Sequence, residues 1–208
     1  MAKDPSGRLT YEHTNCVVIV AHPDDETLWP GGTMLMHPDN CWTVVTLCRK
    51  SDADRAPKFE KALEFYRARG VMGDLDDGSD QKPLRMIDVE DAIIDLLPSD
   101  RYDLVLTHGL WGEYTSHRRH EEVGKAVMAL RESGRFWAKE VWMFAYEDGG
   151  RKYLPRPMAD ADVFVRLPAD VWETKYRIIT EVYDFGPDSF EARTTPKEEA
   201  FWVLGKQK

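Results

Sequence analysis

The sequence predicts an α/β protein, read as a single domain over residues 1–208, with a mostly parallel sheet and helices on both faces. Three observations predict it. The runs "CVVIVA" (16–21), "WTVVTL" (42–47), "YDLVLTH" (102–108) and "EVWMFA" (140–145) are rich in β-branched and apolar residues without alternation, as in strands covered on both sides. Stretches of helical periodicity lie between them. Clusters of ionisable residues follow the strands, where open parallel sheets bind their ligands.

In chain order, the first strand ends abruptly in His22-Pro23-Asp24-Asp25-Glu26. Four ionisable side chains in five residues are costly beside a core unless they bind something or face water. Gly31-Gly32 permits close packing where the next helix starts. After the second strand, Phe59, Leu63 and Tyr66 fall at helical spacing over 57–69, with Pro57 in the first turn and Gly70 just past the end. A helix over 89–97 is stopped by Pro98, and the third strand follows. Val123, Val127 and Leu130 give one apolar face to a helix over 121–130. A fourth strand (140–145), a fifth (161–167), a helix within "LPADVWETKYRIITEVYDF" and a last strand "EEAFWVL" complete a Rossmann-like arrangement.

Formal net charge is -9, with no block of Lys and Arg. A nucleic-acid partner, which needs clustered basic residues, is therefore not expected, whereas a small-molecule partner is. The three cysteines, Cys16, Cys41 and Cys48, form no C-x-x-C pair and read as buried free thiols rather than a disulfide or zinc framework. The N-terminal stretch has no apolar leader and no segment has the length of a membrane span, so a cytoplasmic protein is expected. Oligomeric state is left open.

His22 and Asp25, three apart in a tight turn, form a partial ligand set for zinc or another divalent ion such as Fe2+. In "GEYTSHRRHEEVG" (112–124), His117 and His120 share a helical face if the helix begins near Ser116, a good N-cap, with Glu121 and Glu122 in its first turn. A metal on His22, Asp25 and His120 keeps a position open for water, as catalytic sites do. Asp24 is then placed to take a proton from that water. His117, if protonated, can stabilise an oxyanion or protonate a leaving amine.

"VVIVAHPDDETLWPGGT" followed by "THGLWGEYTSHRRHEEVG" resembles the LmbE-like (PIG-L) family of zinc-dependent N-deacetylases, with "TVVTLCRKSDADR" and "GDLDDG" between them. The recognisable part spans roughly residues 16 to 130. The resemblance implies removal of acetyl from N-acetylglucosamine linked to inositol, phosphatidylinositol or malate. It implies His22, Asp25 and His120 as zinc ligands, Asp24 as general base, His117 as oxyanion stabiliser or acid, and Arg55 and Asp77 as substrate-binding residues. At one point the sequence departs from it. Where the family often reads His-Pro-Asp-His, Arg118 and Arg119 fill the middle, serving a different substrate or a surface salt bridge.

Other residues carry two readings each. Glu26 suits either support of a ligand or a charge at a helix N-terminus. His108 can line a pocket or be structural. His37-Pro38-Asp39 repeats three letters of the first motif but lacks its second acid and reads as loop. Trp29, Trp111 and Tyr114 flank the motifs and can stack on a sugar. The competing functions are hydrolysis of another amide or ester, and sugar binding without catalysis.

Overall fold

The computed structural model describes residues 14–78, 80–115 and 117–204. β1 (Asn15–Val20) leads into the short helices α1 (Asp25–Leu28) and α2 (Gly31–Met36), then β2 (Cys41–Thr46), α3 (Arg55–Tyr66) and β3 (Arg69–Met72). α4 (Met86–Leu96), β4 (Arg101–Thr107), α5 (Arg118–Glu132) and β5 (Trp137–Phe144) follow. The two-residue strands β6 (Tyr146–Glu147) and β7 (Arg156–Pro157) pair with each other, ahead of β8 (Val163–Arg166) and α6 (Ala169–Arg177). A π-helical turn (Ile178–Val182), α7 (Phe190–Thr194) and β9 (Glu198–Leu204) end the described chain.

Seven strands form one sheet in the order β3-β2-β1-β4-β5-β9-β8. β3, β2, β1, β4 and β5 pair in parallel, while β9 runs antiparallel to both its neighbours. The alternation of strand side chains divides the core between two faces. Cys16, Val18, Val20, Leu104 and Leu106 pack with Phe59 and Leu63 of α3 and with Ile178 and Ile179. Val17, Ile19, Val45 and Val105 pack with Val89 and Ile93 of α4 and Val123, Val127 and Leu130 of α5. Helices therefore cover both faces, which is why these strands carry no polar side. Among the described residues no helix is long and apolar enough to cross a membrane.

The structure corrects several boundaries. α3 ends at Tyr66, where Arg67 takes a left-handed conformation (φ 52°), and Gly70 lies within β3, a strand the sequence reading omits. A Cβ at Gly70 would stand 2.2 Å from Leu63 Cδ1, so glycine lets α3 fold back directly onto β3. The expected cap Ser116 lies outside the described residues, and His117 occupies the N-cap position of α5. The helix read over 167–185 divides into α6 and the π-helical turn. Cys16 and Cys48 are buried as expected, but Cys41 is exposed; all three are free.

β9 is tied to the first half of the chain by a buried ion pair. Glu199 accepts from Lys175 Nζ at 2.5 Å, from the backbone of Gly32 at 2.7 Å and Thr33 at 2.8 Å, and from Thr33 Oγ1 at 2.6 Å. Gly32 permits this approach, because a Cβ there would meet Leu167 at 2.4 Å. Burial lowers the Lys175 pKa against the opposing pull of Glu199. Glu199→Ala leaves that ammonium without its partner and is expected to destabilise the fold by about 3–5 kcal/mol. Denaturant unfolding measures it, and a loss under about 1 kcal/mol would contradict the pairing.

Candidate metal centre

The parallel strands deliver their following loops to one edge of the sheet. His22 follows β1, Arg49 follows β2, Asp77 follows β3, and His108, Glu113, His117 and His120 follow β4. In the order 3-2-1-4-5, successive strands are added on one side of β1 and then, from β4, on the other, and ligands of such sheets bind at that switch point. The histidines leaving β1 and β4 meet there.

Asp25 Oδ2 lies 3.2 Å from His22 Nδ1 and 3.3 Å from His120 Nε2. The remaining nitrogens of both rings are engaged: His22 Nε2 faces Asp77 Oδ1 at 3.2 Å, and His120 Nδ1 faces Glu113 Oε2 at 2.6 Å. With one proton per ring, those carboxylates take the N–H groups and bare lone pairs of His22 and His120 converge on the Asp25 oxygen. Although burial opposes it, hydrogen bonds to Asp25 and Asp77 raise the His22 pKa to about 10, so a proton holds this place until a divalent cation displaces it. The separations from Asp25 match the edge of a tetrahedron, about 3.3 Å for ligand bonds near 2.0 Å. Two overlapping groups of described residues could hold a metal ion, His22 with His117 and His120, and Asp25 with His108 and His120; His22, Asp25 and His120 draw on both, and imidazole and carboxylate suit a divalent cation.

Surrounding groups hold each ligand in place. Trp29 Nε1 donates to Asp25 Oδ1 at 3.0 Å, and the backbone N–H of His22 donates to Oδ2 at 2.9 Å. Burial opposes the Asp25 carboxylate, but the imidazoles of His120 and His108 outweigh it and hold its pKa well below the usual range. Glu113, which sequence reading passed over, accepts from both His120 and His108 on Oε2 and from the backbone of Gly109 on Oε1. Its pKa is held near 2 by those imidazoles despite full burial. The only advance signal for it was an acid just ahead of the second motif. His108 is structural: its Nε2 accepts from the backbone of Ala21 at 3.0 Å, which uses the lone pair a metal would need. Glu113→Gln is expected to weaken metal binding about 10- to 100-fold. Competition with a chromophoric chelator measures it; unchanged affinity would contradict the role.

Asp24 sits beside these ligands in a strained conformation, φ 111°. Glu26 stabilises it. Fully buried, Glu26 accepts from the backbone of Asp24 at 2.9 Å, from Thr27 Oγ1 at 2.6 Å and from Tyr183 OH at 2.7 Å. The π-helical turn sets Tyr183 in reach, so Glu26 props the motif loop rather than charging a helix end. Burial and the adjacent Asp25 raise the Asp24 pKa well above its ordinary value, with Arg55 opposing. Arg55 donates to Asp24 Oδ2 at 2.9 Å and stacks on Phe185, 4.5 Å from the ring centroid.

His117 packs against His120, ring centroids 3.8 Å apart, and its buried Nδ1 has no hydrogen-bond partner among the described residues. Burial first, then the neighbouring imidazoles, push its pKa down to about 2, so it is neutral where the sequence reading allowed a charge. Asp77 reaches the same cavity, yet its carboxylate is engaged by His22 and by Arg49, whose Nη2 donates to Oδ2 at 2.6 Å. Of the three flanking aromatics only Tyr114 lines the cavity; Trp29 is buried and Trp111 is 80% exposed. The cavity, of about 360 Å³, is walled by His22, Asp24, Arg55, Tyr114, His117 and Phe190 among others. A second, of about 340 Å³, shares Tyr114 and Phe190 with it and continues toward Arg151 and Lys152.

Residues 17–131, over half of the chain, match the family described as PIG-L: GlcNAc-PI de-N-acetylase. The chain belongs to this family. An uncharacterized protein of Acanthamoeba polyphaga mimivirus is 23% identical over 186 residues, 81% of this chain and 75% of the viral protein. A conserved protein of Thermus thermophilus has the same fold, with a TM-score of 0.66 and 17% identity over 94% of this chain and 96% of its own. So has GalB, the 4-carboxy-2-hydroxymuconate hydratase of Pseudomonas putida, at 0.60 and 15% over 93% and 98%. At such identities the likeness establishes the fold alone. PIG-L membership identifies a metal-dependent deacetylase or related hydrolase, and the His/Asp cluster is where its divalent metal can sit.

The two arginines that stand where this family often has Pro-Asp turn away from the cavity. Arg119 is 1% exposed, donating from Nε to Asp76 O at 2.6 Å, from Nη2 to Lys82 O at 2.8 Å, and from Nη1 to Glu122. Arg118 Nη1 donates to Gln81 O at 3.0 Å.

Proposed function

We propose that this protein is a zinc-dependent N-deacetylase acting on an N-acetylglucosamine-type conjugate, with His22, Asp25 and His120 as the metal ligands. The observation that carries the reading is the convergence of those three acceptors beside Asp24, a carboxylate with a raised pKa, at the floor of a cavity open to a small molecule. When bound, zinc supplies polarisation of the acyl carbonyl and a lowered pKa for water. Asp24 takes the proton of the attacking water and, with its raised affinity for that proton, returns it to the leaving nitrogen. His117, neutral, offers one N–H to the carbonyl oxygen as it gains charge. Arg55, fixed by Asp24 and Phe185, presents its remaining N–H groups to sugar hydroxyls. Tyr114 gives an aromatic wall against which a sugar ring can stack, and the adjoining cavity has room for the linked group.

Acetate release from a panel of N-acetylglucosamine conjugates by zinc-loaded protein tests the reading. Release by the native chain but not by Asp24→Asn is expected. No release from any member, with zinc bound, would overturn the amide assignment and move the site to another amide or ester, to water addition of the kind GalB is named for, or to sugar binding without turnover.

A further inference from the structure

After the backbone bond from Leu75 to Leu47 O, the described residues 76–78 and 80–84 lie outside helices and strands, and α4 begins at Met86. Yet this stretch carries Asp77, the carboxylate on His22 Nε2. Arg49 holds the Asp77 carboxylate itself, donating from Nε at 3.0 Å and Nη2 at 2.6 Å, while the backbone around it is fixed by the first turn of α5. Arg119 holds the carbonyls of Asp76 and Lys82, Arg118 that of Gln81, and Glu122 accepts the backbone N–H of Leu84 at 3.0 Å. Gln81, itself left-handed at φ 39°, donates from its side-chain amide to Asp77 Oδ1 at 3.3 Å. A guanidinium with three bonds at almost zero exposure is a rigid fork; lysine at this position has a single donor centre and cannot bridge two carbonyls and a carboxylate.

We propose that Arg119 is a positioning residue for the metal centre: by gripping residues 76 and 82 it seats Asp77 on His22, which orients the His22 ring toward Asp25. The same α5 turn that supplies His120 thereby also sets the opposite ligand, two residues of the His-x-x-His spacing having exchanged Pro-Asp for a loop clamp. The inference rests on the metal-centre reading and extends it to residues that touch neither metal nor substrate.

Zinc affinity, measured by competition with a chromophoric chelator, tests it in Arg119→Lys, Asp77→Asn and the double variant. Each single change is expected to weaken zinc about 10-fold or more, as loss of an outer partner of a ligand does. The double variant is expected to lose little beyond the worse single one, because both act through one contact. Glu199→Gln, which disturbs a distant buried pair, is expected to lower Tm without moving zinc affinity, so a general loss of stability cannot mimic the result. Should Arg119→Lys fail to fold, Glu122→Gln leaves one acceptor oxygen where Arg119 and Leu84 now use two, and must shift affinity the same way. Native affinity in Arg119→Lys, or full additivity in the double variant, overturns the clamp while leaving the metal centre intact. A native chain that takes up no zinc overturns the metal centre and the clamp together.

Discussion

Asp24→Asn is expected to lower kcat by about 10²- to 10⁴-fold, the usual worth of a positioned base, while zinc content stays at the native level. The side chain keeps its size and can still meet Arg55, so the motif loop holds its shape. What is lost is the proton acceptor. Burial, then the neighbouring Asp25, push the Asp24 pKa up, while Arg55 pulls it down. Zinc quantified on the purified variant, alongside its turnover, separates the two roles. A variant that keeps more than about a tenth of native kcat would remove Asp24 from the chemistry, on the same scale of effects.

His120→Ala is expected to lose metal altogether on dialysis, together with all activity. His120 is one of two imidazoles among the three proposed ligands, and its removal leaves only His22 Nδ1 and the Asp25 carboxylate facing each other. It also strips Glu113 of one of the three N–H groups it accepts, leaving a fully buried carboxylate bonded to His108 and Gly109. The variant should therefore also unfold at a lower temperature, since a buried charge short of a partner is costly. Metal analysis decides the ligand assignment independently of stability. One equivalent of zinc retained by folded His120→Ala would contradict it.

How far these features were legible in the sequence follows from what each depends on. Strands covered on both sides have no polar face, so "CVVIVA" and "WTVVTL" announced a sandwiched parallel sheet directly. β3 was missed because it is four residues long and shares Arg69 and Gly70 with what read as a helix end; its parallel pairing with β2 is what reveals it. The reversed β9 was legible as a strand but not as an antiparallel one, since direction is set by the path of the chain and not by local composition. His22, Asp25 and His120 were readable because close spacing forces two of them together and strand order brings in the third. Glu113 and Arg119 were not, because both act by hydrogen bonds to groups distant in sequence or to backbone carbonyls, which no spacing encodes. Asp77, expected at the substrate, does line the cavity; its contacts with His22 and Arg49 join separate loops and had no sequence signal.

The central claim is that one metal held by His22, Asp25 and His120 drives hydrolysis, and metal titration tests it most directly. The protein is stripped with a chelator, zinc is returned in steps, and acetate release from the best N-acetylglucosamine conjugate is followed. Activity that falls to background on stripping and recovers to a plateau at one equivalent is the predicted result. Turnover that persists in the stripped protein, or that never responds to added metal while the substrate still binds, would contradict the account.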